Sequence, residues 1–343
     1  MPASERIPSR RMTGPQGPEA ARRLSGEAVR AVLRSGTLTV RGQLRGASNA
    51  VLYGEVTHEG RTLPCVYKPV AGERPLWDFP DGTLAQREVA AYEVSRVTGW
   101  DLIPATVLRD GPYGEGMCQA WVGPPPDGGP EDSGTATPPA APERAAAEPS
   151  GPEAAHTPDD GAGRGAVQNT GETGDAGSED DPLGQLLALV EGDEPGEGWK
   201  AVGHAEVGGG RTALLVHADD PRLRRLAVLD AVINNADRKG GHLLRAPGGW
   251  LYAIDHGVTF SADDKLRTLL WGWAGEELTA EATETLRGLA AELAEGAPLA
   301  LRLAALLTPV EVEAVRKRVA TLLGTLRHPL PSGDWPAIPW PPV

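Results

Sequence analysis

Residues 123–181 set the terms on which this chain can fold. The stretch is built mostly of Pro, Gly, Ala, Glu, Asp, Ser and Thr; Val167 is its one valine, and leucine, isoleucine, phenylalanine and tyrosine are absent. Ordering a residue costs about 1–2 kcal/mol of backbone entropy, and a segment without apolar side chains has nothing to bury in return. It is therefore expected to be a disordered insertion, and the fold must be assembled from what lies on either side. The charge is localised in the same way. Between residues 123 and 198, seventeen Asp and Glu stand against Arg144 and Arg164, so the remainder of a chain with formal charge −14 is close to neutral. Overall acidity thus says nothing about substrate. A near-neutral remainder with no basic stripe and interleaved aromatics also argues against nucleic acid as a partner. The insertion itself reads as a tolerated loop expansion or as a surface for a protein partner.

The 343 residues suffice for one large domain or two modest ones. Cys65 and Cys118 are the only cysteines and have no CxxC spacing, which excludes a zinc ribbon, an iron–sulfur site and a disulfide framework. No apolar run is long enough to cross a membrane, and the opening Met-Pro-Ala-Ser-Glu-Arg resembles neither a signal peptide nor a myristoylation site, so a cytoplasmic protein is expected. The expected organisation is a basic tail over 1–18, a strand-rich part over 19–122, the insertion over 123–181, a helix-rich part over 182–327 and a Pro- and Trp-rich strap over 328–343 that lies extended on the fold.

In the first part, the spacing predicts a helix over 25–35, a hairpin of 38–40 and 50–56 with a flexible tip containing Gly46, Ser48 and Asn49, and a third strand over 61–70. Lys68 lies on that third strand between apolar neighbours, where an ammonium is costly unless paired. Glu88, on a strong helical pattern over 84–98, is the available partner. A strand lysine paired with a glutamate on the next helix is how kinase-like folds hold the phosphates of ATP. Backbone N–H groups of Gly46, Ser48 and Asn49 would cap phosphate oxygens. No GxxxxGK[ST] occurs, which excludes a P-loop enzyme; Gly208-Gly209-Gly210 reads as a hairpin turn.

In the second part, a buried helix over 223–234 leads into Asn234-Asn235-Ala236-Asp237-Arg238-Lys239-Gly240-Gly241-His242. A short hairpin over 243–254 comes next and ends at Asp255-His256-Gly257. This order suits phosphoryl transfer from ATP to a hydroxyl. Asp237 would accept the proton of the attacking hydroxyl, Lys239 would offset charge on the moving group, and Asp255 would bind magnesium, with His242 as a further metal ligand. Residues 73–82 read either as a lid or as a packed Ω-loop anchored by Trp77 and Phe79. Within 265–273, Lys265 and Arg267 are candidate receivers of an anionic substrate. Beyond 276, leucines at helical spacing predict helices over 279–294, 299–307 and 310–326.

Through NNADRKGGH and DHG the sequence resembles the phosphatidylinositol 3- and 4-kinase-like superfamily over residues 35–122 and 182–275, specifically a bacterial branch of it. The resemblance implies a bilobal α+β fold with a small antiparallel β N-lobe and a mostly helical C-lobe. It implies that Lys68 binds ATP phosphates, Glu88 steadies it, Asp237 is catalytic and Asp255 binds Mg2+ (or Mn2+). It places a hinge at 117–122, with the backbone from Gln119 to Trp121 bonding adenine. Two positions depart from the pattern: His242 stands where asparagine is the second metal ligand, and Lys239 where lipid kinases carry histidine. The second reading is accordingly a pseudokinase, a nucleotide-binding module serving regulation.

Overall fold

The computed structural model describes residues 25–44, 49–74, 76, 78–79, 82–126, 186–206, 211–333 and 335–340. The expectations for the N-terminal tail, for residues 127–181 of the insertion, for Gly46 and Ser48, for Trp77 and for Gly208-Gly209-Gly210 lie outside the described residues.

The chain is α+β. Helix α1 (Glu27–Ser35) leads into strands β1 (Thr37–Gln43), β2 (Leu52–His58) and β3 (Arg61–Pro69), then helix α2 (Leu84–Thr98) and strands β4 (Thr106–Gly111) and β5 (Gly114–Ala120). These five strands form one antiparallel sheet in the order β1-β2-β3-β5-β4. β5 is therefore an inner strand, inserted between β3 and β4. This corrects the hinge expectation: Met117 to Ala120 are buried strand residues, and the chain leaves the sheet only from Trp121 onward. The glycines of Gly114-Glu115-Gly116 hid the strand signal. Gly116 is nonetheless needed in the ladder, because a Cβ there would stand 2.5 Å from the Lys68 carbonyl oxygen.

Beyond residue 185, β6 (Leu187–Val190), β7 (Trp199–Glu206) and β8 (Thr212–Ala218) make a second antiparallel sheet in the order β6-β8-β7. Helix α3 (Pro221–Ile233) comes after it, with Asp220 accepting the Arg222 N–H, Pro221 in the first turn and Asn234 closing it in the left-handed region at φ 53°. The β9 (Leu243–Ala246) and β10 (Trp250–Ala253) hairpin is next, then α4 (Ala280–Glu292), α5 (Pro298–Ala304) and α6 (Pro309–Thr325). The described residues beyond 327 form no helix or strand. They lie on the fold, with Thr268 N–H and Trp271 Nε1–H both donating to the Ala337 carbonyl at 3.0 and 2.8 Å.

Helix α2 joins the halves. It starts at a Thr83–Gln86 capping box, ends at Gly99 with φ 69°, and touches β4 and β5 on one side and α3, α4 and α5 on the other. Being enclosed, it buries charges as well as apolar side chains, and each is paired. Arg87 reaches Glu311 at 2.6 Å and the Thr259 carbonyl at 2.6 Å. Glu93 meets Arg30, Arg96 and Arg302 at 3.0–3.2 Å. Cys65 and Cys118 are free and buried in the same core. Among the described residues no helix is long and apolar enough to cross a membrane.

Candidate active site

The strand β3 carries Lys68 into a cavity of about 290 Å³ that is also lined by Asn49, Glu73, Arg74, Glu88, Asp237 and Asp255. Lys68 Nζ donates to Glu88 Oε1 at 2.7 Å and to Asp255 Oδ1 at 3.0 Å, across a sequence separation of 187 residues in the second case. Burial alone would lower the lysine pKa; the Asp255 and Glu88 carboxylates outweigh it and raise it, so Lys68 is a cation. Reciprocally, the Lys68 ammonium holds the Asp255 carboxyl well below the usual carboxylate range, against burial and with help from His242. Asp255 is itself about half exposed, which leaves part of its carboxylate facing the cavity.

Glu88 works on two elements at once. While one oxygen takes Lys68, the other accepts the backbone N–H of His256 at 2.9 Å. The helix α2 thereby holds both the lysine and the Asp255-His256-Gly257 turn. Asp255 lies in the left-handed region at φ 62°, which an aspartate tolerates, and Phe260 further on at φ 65°, which a bulky residue does not adopt without strain. Phe260 is fixed there by its N–H bond to the Ile233 carbonyl at 2.7 Å. Gly257 permits the close pass of this turn beneath α2, where a Cβ would meet Leu84 Cβ at 3.2 Å.

Asp237 lines the cavity from the loop after α3. Its N–H donates to Asn235 Oδ1 at 3.0 Å, and its carboxylate stands 3.2 Å from Lys239 Nζ. His242, in the turn before β9, has Nε2 3.4 Å from Asp255 Oδ2. Burial lowers the His242 pKa, with Asp255 opposing, so its ring is neutral near pH 7.

Lys68, Glu88, Asn49, Asp237 and Asp255 thus share one cavity, with Lys239 and His242 in contact with its carboxylates. Gln119 and Trp121 do not line it. Gln119 is buried and donates to Thr106 Oγ1 at 2.9 Å, while the N–H groups of Ala120 and Trp121 are committed to the Ala105 and Pro64 carbonyls. Trp121 packs edge-on against Tyr53 at 5.2 Å. The expected role of Lys265 as a receiver of anions gives way. Its ammonium is buried, donates to the Asp78 carbonyl at 3.0 Å and lies over the rings of Phe79 and Trp335 at 5.0 and 5.2 Å, tying Asp78 and Phe79 to Trp335. Arg267 contributes backbone: its N–H donates to Asn235 and its carbonyl accepts from Arg238, both at 2.9 Å, which braces the Asp237 loop.

The residues that sequence reasoning passed over form a second, buried network. Arg238 donates to Asp230 at 3.0 Å through two nitrogens, to the Ile254 carbonyl at 3.0 Å and to His256 Nε2 at 2.7 Å. Burial first, and then Arg238, keep His256 neutral, so Nε2 can accept. The signal for it was present: Asp230 is the one carboxylate in the otherwise apolar run 226–233 and needed a cation from somewhere.

No protein-family model matches the chain. Among solved structures, one described as the Golgi casein kinase overlaps coarsely, with a TM-score of 0.42 and 12% sequence identity, over 87% of this chain and 73% of that one. Among curated proteins, Protein Rv2133c of Mycobacterium tuberculosis (strain ATCC 25618 / H37Rv) is 42% identical over 313 residues, spanning 91% of this chain and 94% of the relative. At that identity over nearly the full length of both, the chain belongs to the same family as Protein Rv2133c.

Proposed function

We propose that this protein is an ATP- and magnesium-dependent phosphotransferase that moves the γ-phosphate of ATP to a hydroxyl acceptor, on a bilobal fold of the phosphatidylinositol 3-/4-kinase-like type. The observation that carries the reading is the convergence of Lys68, Glu88 and Asp255 within 3.0 Å contacts on a cavity that Asp237 also lines.

In this reading Lys68, kept cationic by its two carboxylates, binds phosphate oxygens of the nucleotide. Asp237 orients the acceptor hydroxyl and takes its proton as the oxygen–phosphorus bond forms and the bond between γ-phosphorus and its bridging oxygen breaks, releasing ADP. Lys239, beside Asp237, offsets charge on the moving group. The donor set fits magnesium arriving with the nucleotide. Among the described residues no group of three or more ligating side chains exists, and magnesium is ordinarily held by one or two carboxylates together with substrate phosphates and water. Asp255 supplies the hard oxygen donor. When bound, the ion screens the phosphate charge and aligns the group for in-line transfer.

A second reading, a nucleotide-binding module without turnover, draws on His242. A neutral imidazole, a softer donor than oxygen, stands beside Asp255 where the kinases that the sequence resembles carry asparagine. One screen separates the two: ATP consumption with magnesium or manganese, against proteins, inositol lipids and small alcohols. For the enzyme, Asp237→Asn lowers turnover by about 10²–10⁴-fold with ATP affinity nearly unchanged. ATP binding with no turnover under either metal rejects the enzyme in favour of the module.

A further inference from the structure

We infer that Arg74 is a second phosphate-binding residue of this cavity, a cation that meets the polyphosphate of the nucleotide beside Lys68; this rests on the nucleotide reading above. Among the described residues two cations and four carboxylates line the cavity, Lys68 and Arg74 against Glu73, Glu88, Asp237 and Asp255. A polyanion entering such a space is repelled by the carboxylates, and a cation that need not first give up a carboxylate partner meets it at less cost than Lys68 does. Lys68 already serves Glu88 and Asp255, and the nearby Lys239 serves Asp237. Among the described residues Arg74 is the remaining lining cation; it is exposed, and its guanidinium has no hydrogen-bond or ion-pair partner there.

The backbone that carries this guanidinium is held from three directions. Glu73 N–H donates to the Val70 carbonyl at 3.0 Å, fixing the segment to the turn that ends β3. The Glu73 carboxylate accepts the Leu84 and Ala85 N–H groups at 2.9 and 2.8 Å, fixing it to the first turn of α2. Arg74 N–H donates to Asn49 Oδ1 at 3.0 Å, fixing it to the start of the β2 arm. A rigid base beneath an uncommitted, planar, five-donor group is the arrangement that reads phosphate oxygens, because little backbone freedom is lost on binding and the fork matches two oxygens at once. Glu73 therefore acts as a strut for Arg74: its oxygens are engaged by amides on α2, and the arginine is left to the ligand.

The test uses the full chain and titration calorimetry, with MgATP and with adenosine, which shares the base and sugar and lacks phosphates. Arg74→Ala is expected to weaken MgATP by about tenfold to a hundredfold while adenosine changes by less than about twofold, and Arg74→Lys, which keeps the charge and loses the fork, is expected to fall between. Because the side chain is exposed, both variants should melt at the wild-type temperature, which separates a lost contact from a lost fold. If the wild type binds MgATP and Arg74→Ala binds it equally well, or if MgATP and adenosine weaken by the same factor, the inference is overturned and the nucleotide reading stands. If the wild type binds neither, the nucleotide reading fails and takes the inference with it.

Discussion

Two ionic networks meet in this protein within a few residues of one another and differ in almost every physical respect. Lys68, Glu88 and Asp255 face a cavity, and Asp255 is 51% exposed; Asp230 and Arg238 are 0% exposed. Neighbours in sequence are divided between them. Asp237 lines the cavity while Arg238 turns inward, and Asp255 faces the cavity while His256 is buried. Asp255 is left-handed at φ 62° and Arg238 makes an isolated β-bridge with Thr268, and each dipeptide puts one group in reach of a ligand and uses the next to fasten the loop. The open network holds charge whose partner can be exchanged for a phosphate; the closed one holds charge that has nowhere else to go.

The difference between the networks is largest at Arg238. Arg238→Met leaves Asp230 buried without its cation and frees the Ile254 carbonyl and His256 Nε2, so unfolding free energy should fall by about 3–5 kcal/mol in denaturant titration. The double variant Asp230→Leu with Arg238→Met should be less damaging than the single one, because no uncompensated ion remains. A loss below about 1 kcal/mol for the single variant would show that the buried network does not fasten the two loops.

The same rule, that buried polar groups are tuned to one state, extends to His217 on β8. Its Nδ1–H donates to the Ala218 carbonyl at 2.9 Å and its Nε2 accepts the Gly272 N–H at 3.1 Å, so the neutral ring is satisfied at both ends. A proton on Nε2 would set two donors against each other. Burial, joined by Lys200 and opposed by the Ala218 bond, Asp219 and Glu276, lowers its pKa to about 4. The unfolded chain, titrating near 6.5, binds this proton first, so the contribution is complete above pH 6.5 and is lost as pH falls through about 4. The loss amounts to about 3 kcal/mol. His217→Gln, which does not titrate, should flatten the stability profile between pH 6.5 and 4 by that amount; an unchanged slope would reject it.

How far the sequence could be read obeys the same division. The helix over 84–98 and the hairpin after Asp237 were legible because apolar spacing and caps are local, as at Thr83 and Gly99. The pairing of Lys68 with Glu88 was legible because a strand lysine among apolar neighbours needs a carboxylate, and one stood on the next helix. β5 was not, since Gly114-Glu115-Gly116 carries no strand pattern and only its place between β3 and β4 makes it one. Nor was the burial of Lys265, whose partners Asp78, Phe79 and Trp335 come from distant segments at either end of the chain, brought together by tertiary packing alone.

The smallest effects on stability should come from the open network, and they should fall unevenly within it. Lys68→Met strands Glu88, which is 1% exposed and keeps only the His256 N–H, and should cost about 1–3 kcal/mol. Asp255→Asn removes the other carboxylate of the same lysine, yet Asp255 is half exposed and Lys68 retains Glu88, so the cost should stay below about 1 kcal/mol. Both variants should be measured by denaturant unfolding without nucleotide and by calorimetry with MgATP. If the assignment of roles is right, Asp255→Asn separates the two readouts, nearly wild type in stability and impaired in magnesium-dependent nucleotide binding, whereas Lys68→Met is impaired in both. Equal destabilisation by the two variants would mean that the ammonium depends on Asp255 as much as on Glu88, and that the cavity network is a structural brace like the one around Arg238.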